Sequence, residues 1–141
     1  MQFSLYANFK LKQNNGTRPI DLDGATIKLA IMKASYTPDA ADDVYSDISS
    51  HEVSGTGYTA GGQAVDNKTL TLVGGNAVWA FDDETFAQNA AGFTDGRRAV
   101  LYDSTTGGLI AYSGAESVDM NTQLGPVTID VGTSGIGAFG G

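Results

Sequence analysis

Twelve residues near the middle of the chain, His51–Gly62, constrain the fold more than any other stretch: His-Glu-Val-Ser-Gly-Thr-Gly-Tyr-Thr-Ala-Gly-Gly. Four of them are glycines. Gly reaches φ > 0 freely, and its repeated use inside a helix or strand is costly. The stretch therefore reads as a shaped connection rather than a helix. Tyr58 is its one aromatic residue, and apolar or β-branched strand candidates flank it on both sides. A chain organised around such a segment is built from short extended pieces joined by tight turns.

The rest of the composition points the same way. Across 141 residues there are 19 glycines, and Thr, Ser, Asp and Ala are abundant while charged residues are only 17%. That mix suits short strands and many turns, and it lacks the high charge of a disordered chain. The length is that of a single domain with a real core.

Taken in order, residues 3–12 alternate, with Phe3, Leu5, Ala7, Phe9 and Leu11 on one parity, so an extended strand or arm is expected. A helix also fits, because Leu5, Phe9 and Lys12 share a helical face. Gln13–Gly16 is a turn, and Pro19 stiffens the connector after it. Ile27, Leu29 and Ile31 alternate with Thr26, Lys28 and Ala30, which predicts a central strand over 25–34. Ser35–Asp39 stops it, since Pro38 disfavours helix at the residue before it. Asp39–Ser50 reads as the one short helix, over about 39–48, with Asp39 as its cap. Gln63–Val65 and Thr69–Val73 read as strands around a tight connection. Gly74-Gly75 is a hairpin turn leading into Ala77, Trp79 and Phe81. Residues 86–93 are ambiguous. Arg97–Tyr102 and Leu109–Tyr112 form a hairpin around the loop 103–108, and Pro126–Val131 is a last strand. Strand candidates recur every ten or so residues, which predicts a mainly β, single-domain antiparallel β-sandwich or small barrel with one short helix. Residues 1–19 are read as an N-terminal arm and 132–141 as a Gly-rich tail.

Chemistry is hard to place on this chain. The net charge is −8, with six basic and eight acidic groups in residues 1–70 and two and eight in 71–141. Nucleic-acid binding needs a basic patch, and the one basic pair, Arg97-Arg98, is flanked by Asp95 and Asp103. No nucleic-acid partner is expected. With no cysteine, disulfides, thiolate zinc and thiol catalysis are excluded. The first residues lack a basic region followed by an apolar run, and no apolar segment approaches membrane-spanning length, so neither a signal peptide nor a membrane partner is expected.

His51 is the only histidine, and no nucleophile-elbow pattern accompanies it; it reads as a hydrogen-bonding loop residue. The acidic groups Asp39/Asp42/Asp43/Asp47 and Asp82/Asp83/Glu84 lack calcium-loop spacing and read as solvated faces. Trp79 reads as core. The Gly-rich stretch lacks the ending of a P-loop and the strand–helix context of a dinucleotide site. No enzyme activity, metal, cofactor or small-molecule substrate is expected.

Several segments carry a resemblance: Ala34–Asp39, Tyr45–Ser49, Glu52–Gly62, Val78-Trp79, Arg98–Asp103 and Leu109-Ile110. Together they are similar to a family of small virion structural proteins encoded in the head gene clusters of tailed bacteriophages. The likeness spans roughly residues 20–131, and Glu52–Tyr58 is its most specific part. It implies a capsid decoration or cement protein on the virion surface, made in the host cytoplasm. The implied partners are the major capsid protein and further copies of the chain. Alternatives are a head–tail connector, tail or fibre component, and, from another class, a carbohydrate- or host-surface-binding module. No catalytic residue carries over. The expected structural motif is Gly55, Gly57, Tyr58, Gly61 and Gly62, with Tyr58 anchoring the loop by packing. Phe3, Leu5 and Phe9, with Ile136 and Phe139 at the other end, are the candidate intersubunit contacts.

Overall fold

Ile27–Lys33 is an inner strand of the main sheet, paired with another strand on each side. The computed structural model describes residues 1–131, so the expected tail, with Ile136 and Phe139, lies outside the described residues. In chain order the elements are β1 (Phe3–Leu5), α1 (Ala7–Asn15), β2 (Ile27–Lys33), α2 (Tyr45–Ile48) with a 3-10 turn at Ser49–His51, β3 (Gln63–Ala64), β4 (Thr69–Val73), β5 (Asn76–Ala80), β6 (Glu84–Phe86), β7 (Gly96–Asp103), β8 (Leu109–Ser113) and β9 (Val127–Ile129).

The main sheet has the order β1-β8-β7-β2-β3 and is antiparallel throughout. Its register lines up Leu29, Leu101, Ala111 and Leu5 across four strands, and Ala30, Val100, Tyr112 and Ser4 on the opposite face. In β2 and β7 the residues of both rows are buried. A sheet covered on both faces needs apolar residues on both parities, and Ile27, Leu29–Met32 and Ala99–Tyr102 supply them. Two further ribbons, β4–β5 and β6–β9, complete a mainly β, sandwich-like fold around one hydrophobic core; the described sheets do not close into a barrel. The β7–β8 hairpin and the β4–β5 hairpin lie where alternation placed them. At the latter, Gly74 (φ 57°) and Gly75 (φ 83°) supply the two positive dihedrals of a type I′ turn, which side chains with a Cβ resist.

Three expectations change. The N-terminal arm is a strand only at 3–5 and then helix α1. Tyr6, at the residue before the helix, and Phe9 within it are buried, whereas a strand would have turned Ala7 and Leu11 inward, and both are exposed. Gly16, in the left-handed conformation, ends it, and Gln13 clips both the N–H and C=O of Ile20. The short helix covers only 45–48. Ahead of it Asp39 accepts from the Ala41 N–H and Asp42 from the Asp39 N–H, local bonds that compete with helix. Asp47, not Asp39, receives the amides that open α2. Finally, β3 and β4 are not partners of each other: β3 joins the main sheet and β4 pairs with β5.

Candidate functional site

The Gly-rich stretch folds around a carboxylate that sequence reasoning passed over. Glu52 is almost fully buried and forms a bridge to Met32 at the end of β2, while the Val53 N–H bonds the Ile31 carbonyl at 3.0 Å. The main chain thus runs against the central strand before it turns away.

Three donors converge on the Glu52 carboxylate. The Tyr58 hydroxyl donates to Oε1 at 2.6 Å, the Gly61 N–H donates to Oε1 at 2.8 Å, and the Tyr45 hydroxyl donates to Oε2. Tyr58 also accepts the Ile31 N–H at 2.9 Å, so its hydroxyl is used in both directions. A fourth group closes the ring: the Tyr102 hydroxyl donates to the Gly61 carbonyl at 2.6 Å, and the Tyr102 ring stacks on Tyr45 at 4.6 Å. The Tyr58 ring packs against Phe86 at 5.4 Å and Phe93 at 5.3 Å. A buried carboxylate surrounded by donors is satisfied, and such networks hold one geometry because each member is costly to leave unpaired.

The electrostatics follow. Burial pushes the Tyr58 phenol well above its usual range, and the adjacent Glu52 charge and hydrogen bond push it further. Tyr45 is raised by burial and then by its bond to Glu52. Tyr102 is pushed up to about 12, by burial first and the Glu52 charge second. All three are therefore neutral donors, and none is poised as a base near neutral pH.

The glycines serve this geometry by close approach. A Cβ on Gly62, at φ +80°, would lie 1.9 Å from the Leu29 carbonyl oxygen in β2, and one on Gly55 would lie 2.4 Å from the Gly92–Phe93 backbone. Gly61 would bring a Cβ to 3.0 Å from the Tyr102 hydroxyl, whereas Gly57 meets only Asn89, at 3.6 Å. Within the expected motif of Gly55, Gly57, Tyr58, Gly61 and Gly62, close approach thus accounts for Gly55, Gly61 and Gly62, while Gly57 has room for a side chain and only its positive φ asks for glycine. Tyr58 anchors the loop by hydrogen bonding as well as by packing.

Other candidate residues lie apart. His51 Nδ1 is 3.0 Å from Ser35 Oγ, and its ring faces Tyr36; Glu52, although adjacent in sequence, is turned to the tyrosines. Asp43 binds Lys12 at 2.6 Å and Arg18 at 2.9 Å, which holds its carboxyl below the usual carboxylate range, the Lys12 hydrogen bond contributing most. Asp42 accepts from Tyr36, which is bonded in turn to Tyr6. Asp82 accepts from Asn67. Glu84 is raised above the usual range by burial, with Asp66 and Asp82 adding to it. Among the described residues no three His, Asp or Glu groups are set to hold a metal ion. Arg97 and Arg98 are engaged by Asp119 and by the carbonyls of Glu116 and Ser113. Phe9 is buried at 3% exposure and so is a core residue, not an intersubunit contact, because α1 turns it inward; Phe3 and Leu5 are half-buried in β1 against the same core.

No known protein family, curated protein or solved structure matches the chain. Among the described residues no helix is long and apolar enough to cross a membrane. The Glu52 centre has its polar groups paired inward, and neither of two surface grooves of about 210 Å³ is lined by it. Chemically it is an anchor for a loop.

Proposed function

We propose that this chain is a tailed-bacteriophage virion structural protein, a capsid decoration or cement protein that binds the assembled head and stabilises it. The observation that supports this reading best is the distribution of large side chains. The polar groups of the resembling segment are spent inside the molecule, while Leu70, Leu72, Val73, Val118 and Leu124 stand exposed on its surface. Such a molecule acts by contact area. On a shell, weak contacts repeated over symmetric copies add through multivalency. The major capsid protein and further copies of this chain are the partners proposed.

The carbohydrate-binding alternative wants exposed aromatic platforms. No described aromatic residue stands exposed: Trp79 is buried and donates its Nε1–H to the Leu22 carbonyl, and Tyr58 is half-buried. The test is to count copies of the chain in purified phage particles that encode it. A stoichiometry on the scale of the capsid lattice supports shell decoration. A ring-like count of roughly six or twelve, as cyclic symmetry dictates, replaces it with a connector or tail role, and absence from the particle overturns it.

A further inference from the structure

The β4–β5 ribbon leaves one strand with nothing on its outer side. Among the described residues β4 pairs only with β5, and all five of its residues, Thr69-Leu-Thr-Leu-Val73, are exposed, Leu72 at 80%. Natural edge strands are blunted by lysine, proline or bulges, because an open row of N–H and C=O groups recruits another strand. β4 has none of these, and no charged residue occurs between Lys68 and Asp82 in a chain of net charge −8. The turn specifies which groups are open. A two-residue I′ turn makes Val73 and Asn76 a hydrogen-bonded pair, and such pairs alternate along an antiparallel ladder. Thr69, Thr71 and Val73 therefore direct their backbone groups to β5, and Leu70 and Leu72 direct theirs outward.

We infer that β4 is a self-association edge that pairs antiparallel with β4 of a second copy about a two-fold axis at Thr71. The open backbone groups match this register. Leu70 faces Leu72 of the second copy as a hydrogen-bonded pair, twice over, and the two Thr71 residues face each other as a non-hydrogen-bonded pair. An axis at Leu70 would instead set Lys68 against Leu72, and one at Leu72 would set Leu70 against Gly74. The register also puts all four leucines on one face. That face carries Ala77 and Trp79 of β5 and continues into the groove of about 210 Å³ lined by Leu5, Phe9, Leu22, Leu70 and Ala77. Leu72 of each copy then lies beside the Leu70 that borders the other's groove. Two five-residue edges bury less than the roughly 1,200 Å² of a standard interface, so the pair is weak in solution and gains strength in an array. The inference rests on the edge itself and holds whether or not the chain sits on a capsid.

The experiment uses the isolated full chain, so it fails separately from the particle count. Sedimentation up to about 1 mM, where contacts of this size still assemble, is expected to show a monomer–dimer equilibrium. Leu72→Lys, at an exposed site, is expected to weaken it about tenfold or more. Because the chain has no cysteine, Thr71→Cys reports the axis directly: facing Cα atoms about 4.5 Å apart suit a disulfide. It should cross-link about tenfold faster than Val118→Cys, an exposed control, by effective concentration. A mixture of Thr69→Cys and Val73→Cys should yield the mixed dimer over either homodimer. A monomer at every concentration, a dimer indifferent to Leu72→Lys, or Thr71→Cys cross-linking no faster than the control would each overturn the inference.

Discussion

The Glu52 centre and the β4–β5 ribbon are both loops-and-strands built on glycine, yet they treat polar and apolar groups in opposite ways. At Glu52 a charge is buried and three donors converge on it; at β4 leucines are exposed and backbone donors are left open. The first arrangement holds the molecule in one geometry, because breaking any bond strands a buried group. The second adds little to the monomer and leaves one strand edge open at the surface. The ribbon is tied to the body by β5, where Trp79 is buried, bonds Leu22 and meets Phe81 edge-on at 5.3 Å. Two strands of one hairpin thus divide anchoring and display between them.

The largest effect should come from crowding the first region. Gly62→Ala puts a Cβ against the Leu29 carbonyl at a positive φ, and should destabilise the fold by about 3 kcal/mol or more in a urea titration, whereas Gly57→Ala carries only the left-handed penalty of about 1–2 kcal/mol. Equal losses at the two sites would remove the close approach from the explanation.

Glu52→Ala strands two tyrosine hydroxyls and the Gly61 N–H and should cost about 3 kcal/mol, with Glu52→Gln intermediate because its amide presents donors to donors. Thermal denaturation of both variants beside Tyr58→Phe checks the ranking. Alkaline pH probes the same centre without mutation. Tyr102 has its folded value raised from 10 to about 12, so its contribution is complete below pH 10 and is lost as the pH climbs to about 12, at up to ~1.4 kcal/mol per pH unit. Tyr58 and Tyr45 are shifted in the same direction. Ultraviolet titration should therefore show tyrosinate appearing late and together with unfolding, and Tyr58→Phe should flatten the loss.

Smaller effects lie outside the centre. Lys12→Met removes one of two cations on Asp43, a partly exposed pair worth about 0.5–1 kcal/mol. Since Asp43 is lowered in the fold, that contribution is present above its ordinary range and vanishes as acid protonates it, so the variant and the parent should converge at low pH. Least of all, Leu72→Ser should leave monomer stability within about 0.5 kcal/mol, in contrast to every change at the centre.

Hairpins were legible because alternation and turn residues are local signals: Gly74-Gly75 and the loop 103–108 could be placed from a dozen residues each. Helix α1 was not, because Leu5 and Phe9 satisfy both a two-residue and a helical period, and the choice is made by what Tyr6 and Phe9 find to pack against. The glycines of 55–62 were recognised as structural, but the residue they serve was missed. Glu52 is bound by Tyr45 and Tyr58 and lies beside Tyr102, fifty residues on, a convergence that no local pattern records. One signal was present: after Glu52 no charged residue occurs until Asp66, so this acid is the one charge at the head of an otherwise uncharged, glycine-rich stretch.

The strand order β1-β8-β7-β2-β3 has a consequence for the order in which the protein comes together. Phe3 pairs with Ser113 and Ile27 with Asp103, so the main sheet joins the first part of the chain to a late one. Long loops must close before those contacts repay the entropy lost, which slows folding. The β4–β5 hairpin needs only its own turn and forms on a timescale of about 1–10 μs. During synthesis the ribbon is therefore complete while β1 still waits for β8, and β2 for β7, strands that the ribosome has yet to deliver. An incomplete chain displays the uncharged edge of β4 before it has a core to keep it apart from its neighbours. Stalled or truncated chains should aggregate through that edge, and a lysine at position 72 should spare them.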